Sequence, residues 1–117
     1  MYTLHVTLPI GTAELGHAEA ERLTAELRSF APSREMPSAN AAADKISRIL
    51  TGQSGEVAFT CPEQFEILRA VDRMSAGSDL SPKGEMFRRM LGLQLAWNVQ
   101  QYAKTHDPAD TTLSLEG

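Results

Sequence analysis

Residues 57–63, Val57-Ala58-Phe59-Thr60-Cys61-Pro62-Glu63, carry the chain from one backbone period into another. Val57 and Phe59 alternate with Ala58 and Thr60 as in a short strand, and Thr60-Cys61-Pro62-Glu63 then has the form of a capping box. In that motif Thr60 accepts from the Glu63 amide, the Glu63 carboxylate reaches back, and Pro62 lies where a missing N–H costs nothing. A strand therefore runs straight into a helix. Downstream, Phe65, Leu68, Val71 and Met74 are expected to make the buried face of a helix that ends near Gly77, and Ser81-Pro82-Lys83-Gly84-Glu85 opens a longer helix that His106-Asp107-Pro108 closes. The unit is one strand followed by two helices.

A looser version of the unit reads upstream. Tyr2, Leu4, Val6 and Leu8 alternate with Thr3, His5 and Thr7, a half-buried strand that Pro9 and Gly11 are expected to end. Thr12 is then placed as a helix cap with Glu14 in the first turn, and Leu15, Ala20, Leu23, Leu27 and Phe30 predict a helix over residues 13–30. Pro32 and Pro37 bracket a loop, Asn40 is the next candidate cap, and Ala43, Ile46, Ile49 and Leu50 form the stripe of a second helix stopped by Gly52 and Gly55. Val6-Thr7-Leu8-Pro9 and Phe59-Thr60-Cys61-Pro62 stand 53 residues apart at matching places, the mark of two loosely similar halves, 1–52 and 55–105. At the C-terminus Thr112, Leu113, Ser114 and Leu115 alternate once more, as a strand or as a frayed tail.

The expected fold is α+β and helix-dominated, a single domain over residues 1–117 in the order β-α-α-β-α-α with an optional last strand. Lone strands leave backbone groups unpaired, so they must form a small sheet under the four helices or pair across a dimer.

Composition narrows the function classes. The chain has 117 residues, 42% of them apolar, and no apolar run of spanning length. The first residues, Met1-Tyr2-Thr3-Leu4-His5-Val6, have neither the cationic run nor the apolar run of a signal peptide. Cys61 is the single cysteine, which excludes an internal disulfide and a thiolate zinc site and makes a reducing, cytoplasmic location the expectation. Eleven bases against fifteen acids, a net charge of −4, disfavour a general polyanion binder. The halves divided at residue 58 are each −2, yet residues 83–104 hold Lys83, Arg88, Arg89 and Lys104 against Glu85 alone, a local +3. That segment also carries Met86, Phe87, Met90, Leu91, Leu93, Leu95, Trp97, Val99 and Tyr102, more apolar surface than one helix face can hide.

Few constellations carry chemistry. Cys61 sits at a helix N-terminus, where amides and dipole lower a thiol pKa, but no base is evident in sequence. Glu14, His17 and Glu21 fall on one face of the expected first helix, a partial form of a carboxylate-and-histidine metal element that lacks its second copy. The Ser81-Pro82-Lys83-Gly84 start offers amides to a phosphate or carboxylate. No phosphate-binding loop, dinucleotide fingerprint or nucleophile elbow occurs, and neither a metal nor a cofactor is expected.

Residues 57–102 resemble the ribbon-helix-helix family in outline: a short strand into Pro62-Glu63, a helix with Phe65, Leu68 and Val71, a turn at Gly77, and a helix with Phe87-Arg88-Arg89-Met90. The resemblance implies strands paired as a ribbon in the major groove, with Thr3, His5 and Thr7 or Glu56, Ala58 and Thr60 as base readers, and Lys83, Arg88 and Arg89 on phosphates. None of the six readers is Arg, Lys, Asn or Gln. The favoured expectation is a small non-catalytic accessory or regulatory protein of prokaryotic or phage type, an inhibitor, antitoxin-like protein or assembly factor. It would bind a protein partner and form a homodimer through Leu91, Leu95, Trp97 and Tyr102, with Arg88 and Arg89 at the rim. A DNA-binding regulator is the alternative, and a cysteine-dependent enzyme using Cys61 the third class.

Overall fold

The computed structural model describes residues 2–9, 11–30, 38–106 and 113–117. Its elements run β1 (Leu4–Leu8), β2 (Gly11–Leu15), α1 (His17–Phe30), α2 (Ala39–Leu50), β3 (Glu56–Phe59), α3 (Cys61–Ala76), α4 (Pro82–Thr105) and β4 (Leu113–Glu116). The strands form one antiparallel sheet in the order β2-β1-β4-β3, so the fold is α+β and helix-dominated, and the strands find one another within the chain.

One boundary differs from the expectation. Pro9 and Gly11 end β1 but start no helix: the chain reverses between Leu8 and Gly11, and β2 pairs back with Leu4 opposite Leu15 and Leu8 opposite Gly11. Gly11 takes φ 146°, a conformation that L side chains rarely adopt, which suits glycine to the corner. Thr12 lies in β2 opposite Thr7 rather than capping a helix, and α1 starts only at His17. Ala13, Glu14 and Leu15 are helix formers by propensity; pairing with β1 and burial of Ala13 and Leu15 outweigh that preference. The second helix likewise begins at Ala39, with Ser38 at the cap position, two residues before the expected Asn40 cap.

The capping box at α3 forms as the residues dictate. The Glu63 amide donates to Thr60 Oγ1 at 3.4 Å, and the Thr60 amide donates to Glu63 Oε1 at 2.7 Å. Lys45 Nζ of α2 donates to the same carboxylate oxygen at 2.6 Å and to the Ala58 carbonyl at 3.0 Å. Because the Gly117 amide donates to the Gly55 carbonyl, the alternation along β3 turns the groups of Val57 and Phe59 toward β4 and those of Glu56 and Ala58 outward. Lys45 thus blocks a carbonyl on the open edge of the sheet.

The last alternating segment is a strand, and a central one. Leu113 and Leu115 point into the core, Ser114 and Glu116 point out, and β4 separates β1 from β3 while pairing with both. One sheet face, built from Leu4, Val6, Ala13, Leu15, Phe59, Leu113 and Leu115, packs beneath the helices on Leu23, Ile46, Ile67, Phe87 and Leu91. The other face presents Thr7, Thr12, Glu56, Ala58, Ser114 and Glu116 to solvent. No helix among the described residues is long and apolar enough to cross a membrane.

Candidate docking surface

The longest element, α4, is held at both ends. Ser81 Oγ caps it by accepting from the Gly84 amide at 3.1 Å, and Pro82 follows in the first turn. At the other end His106 takes the left-handed conformation (φ 55°), its amide donates to the Tyr102 carbonyl, and its ring stands edge-on to Tyr102 at 5.7 Å. About 36 Å of helix lies between these caps.

Its inward face is Gly84, Phe87, Met90, Leu91, Leu95 and Asn98. Leu91 is fully buried and Leu95 is 3% exposed, so these two expected contact residues belong to the core. Their three- and four-residue spacing from Phe87 and Asn98 puts them on the side that packs on β2 and α3. Trp97 is different. It is 57% exposed, Leu93 one turn before it is 59% exposed, and Met86 two turns earlier is half exposed. With Leu8 and Pro9 at the end of β1, Leu93, Gln94 and Trp97 enclose an open groove of about 410 Å³. Leu8 and Pro9 were not legible as part of a site, because only the β1–β2 reversal brings them beside α4.

Tyr102 is exposed on another side of the helix, beyond the end of the core. Val99 is exposed too, and stands on the side of Arg88, eleven residues away, just as the exposed Phe65 of α3 stands on the side of Asp72, seven residues away. Arg88 and Asp72 bridge the two helices at 3.0 Å, so Phe65 and Val99 share the outer surface of the α3–α4 pair. Phe65, expected on the buried face of α3, stands outside because Ile67, Ala70, Val71 and Met74 form that face.

The cations divide. Arg88 is committed to Asp72 and, through Nε at 3.0 Å, to Glu85, which also accepts from Ser75 at 2.6 Å. These bonds hold the Glu85 carboxyl below the usual carboxylate range, the Ser75 hydroxyl first and Arg88 second. Lys83, Arg89 and Lys104 are exposed and make no ion pair among the described residues.

The other expected constellations do not assemble. Glu14 is on β2, 3.5 Å from His5, and so leaves His17 and Glu21 of α1, which pair with each other at 2.9 Å. No group of three or more His, Cys, Asp or Glu among the described residues is arranged to hold a metal. The α4 N-terminus, read as able to hold a phosphate or a carboxylate, holds the chain's own carboxylate: Glu19 accepts from the Ser81 amide at 3.0 Å and from the Ser81 hydroxyl at 2.7 Å. Cys61 opens α3, yet burial pushes its thiol pKa up rather than letting the helix terminus lower it. Thr3, His5 and Thr7 and Glu56, Ala58 and Thr60 line the outer sheet face on β1 and β3 or their ends, with β4 between the two strands. Asp107 to Asp110, beside His106, lie outside the described residues.

No family model, curated protein or solved structure matches this chain. Its chemistry has to be read from its own surface.

Proposed function

We propose that the chain is a non-catalytic binding protein, an accessory or regulatory module that docks a protein partner on the outer face of α4. The observation that carries this reading is the adjacent exposure of Leu93 and Trp97, one turn apart, over a groove walled by Leu8 and Pro9. Leaving two large apolar side chains in water costs roughly 25 cal/mol per Å², and a rigid helix offers them without further ordering cost, as hot-spot residues are offered. A regulator of the inhibitor, antitoxin-like or assembly-factor kind works by such a surface.

The test separates docking from folding. Leu93→Glu and Trp97→Glu should leave the urea midpoint within about 0.5 kcal/mol of the parent, because neither side chain is in the core. Each should return a tagged chain, run from extracts of its native cells, from a larger complex to the mass of the isolated protein. Unchanged complex size in both variants would remove the α4 face from consideration. The DNA-binding alternative has Lys83 and Arg89 available for phosphates but Arg88 already paired. Absence of binding to random duplex DNA at micromolar protein in about 50 mM salt, where phosphate contacts are strongest, would dispose of it.

A further inference from the structure

The charges around the groove say which kind of partner fits it. Lys83, Met86, Arg89, Leu93, Trp97 and Lys104 follow one another at intervals of three, four or seven residues, which places them on one face of α4. Three cations therefore edge one apolar stripe. The helix's one acid among the described residues, Glu85, borders that face four residues before Arg89, but Ser75 and Arg88 already hold its carboxylate, and Lys83, Arg89 and Lys104 are in no ion pair among the described residues. We infer that the surface receives an amphipathic helix of a different protein, with acidic residues flanking its apolar side and one large apolar side chain seated in the groove beside Leu8 and Pro9. The inference rests on the docking reading above and gives its occupant.

Charge argues against the other occupants. A second copy laying α4 against α4 would bring three cations to three cations, with Lys83 facing Lys104 across an antiparallel pair. A second copy offering its open sheet face would supply Glu14, Glu56 and Glu116, but with Thr7, Thr12 and Ser114 among them it offers Leu93 and Trp97 no apolar side chain larger than Ala58. Such a head-to-tail contact gives a ring of several copies or an open filament, never a twofold dimer. An anionic bilayer would meet the cations, but it is flat where the groove is concave, and it repels a chain of net charge −4. A helix-in-groove partner satisfies both the apolar spacing and the cationic border.

The test uses the full chain against a displayed library of amphipathic helices, apolar at i, i+4, i+7 and i+11, with flanking positions randomised among Glu, Gln and Lys. Enriched sequences should carry Glu at the flanks. As labelled peptides, they should bind about tenfold more tightly than their Lys-flanked counterparts in anisotropy titrations. Leu93→Ala and Trp97→Ala should each weaken binding at least tenfold, and Arg89→Glu with Lys104→Glu should turn the preference toward Lys. Selected helices without charge preference would overturn the inference. So would anionic phosphatidylserine vesicles that shift Trp97 emission where no peptide does. A dimer in light scattering whose Trp97 emission shifts to the blue with concentration would also overturn it, yet would leave α4 as a docking face. Binders indifferent to both Leu93→Ala and Trp97→Ala would take down the docking reading as well.

Discussion

Gly84 owes its identity to a neighbour. A Cβ built there would stand 2.5 Å from Glu19 Oε2 and 3.0 Å from Leu80 Cδ2, and Glu19 cannot move aside without releasing Ser81. Gly84→Ala should therefore destabilise the protein by about 1 kcal/mol in urea denaturation, although the same change in an open helix would stabilise it by about as much. Glu66 is the other residue with a measurable signature. It is 6% exposed, its Oε1 accepts from the Ser38 amide at the start of α2, and its Oε2 is buried without a hydrogen-bond partner among the described residues. Burial, with Glu63 adding repulsion, raises its pKa above the ordinary 4.5 against the pull of Ser38 and Arg69. A raised carboxyl pKa means that the folded state binds more protons, so this group's contribution is full below about pH 4.5 and is lost as pH rises through the raised value. Glu66→Gln keeps the acceptor for Ser38 and removes that dependence; it should be more stable than the parent at pH 7 and no more stable at pH 4. At this scale the sequence was legible where partners are close along the chain. The Thr60–Glu63 box could be read directly, whereas Glu19 on Ser81 spans 62 residues and could not.

Elements were legible to the extent that their own period was unambiguous. The helices α3 and α4 start at their caps, and β1 and β3 have the strict alternation that marks them. β2 was hidden because Ala13, Glu14 and Leu15 fit both periods, and Leu15 continued the stripe of Ala20, Leu23 and Leu27 by coincidence of spacing. β4 was visible as an alternating word, but its place was not, since four residues say nothing about which strands flank them. Its central position makes it the joint between the β1–β2 hairpin and β3. Leu115, fully buried there, is the residue to change: Leu115→Ala should cost about 2–5 kcal/mol, the range for a Leu cavity in a packed core. A loss below about 1 kcal/mol in the urea midpoint would mean that β4 is a tail laid on the sheet rather than its joint.

The whole molecule is polarised. Its open sheet face carries Glu14, Glu56 and Glu116 around His5, while the outer face of α4 carries Lys83, Arg89 and Lys104 around Leu93 and Trp97. The sequence disclosed the raw materials of this arrangement, a local +3 and an apolar surplus in one segment, because both are counts along a contiguous stretch. Which apolar residues would be left outside depended on where β2 and α3 pack, and that exchanged Leu91 and Leu95 for Leu93 and Met86 in the contact surface. The claim that matters is that α4, and not the sheet, meets the partner. A photo-crosslinking residue placed at Leu93, and separately at Ala58 on the sheet, tests it most directly in cells that make the protein. A discrete higher-mass adduct is expected from position 93, disappearing with Trp97→Glu, and none from position 58. Adducts from position 58 with none from position 93 would contradict it.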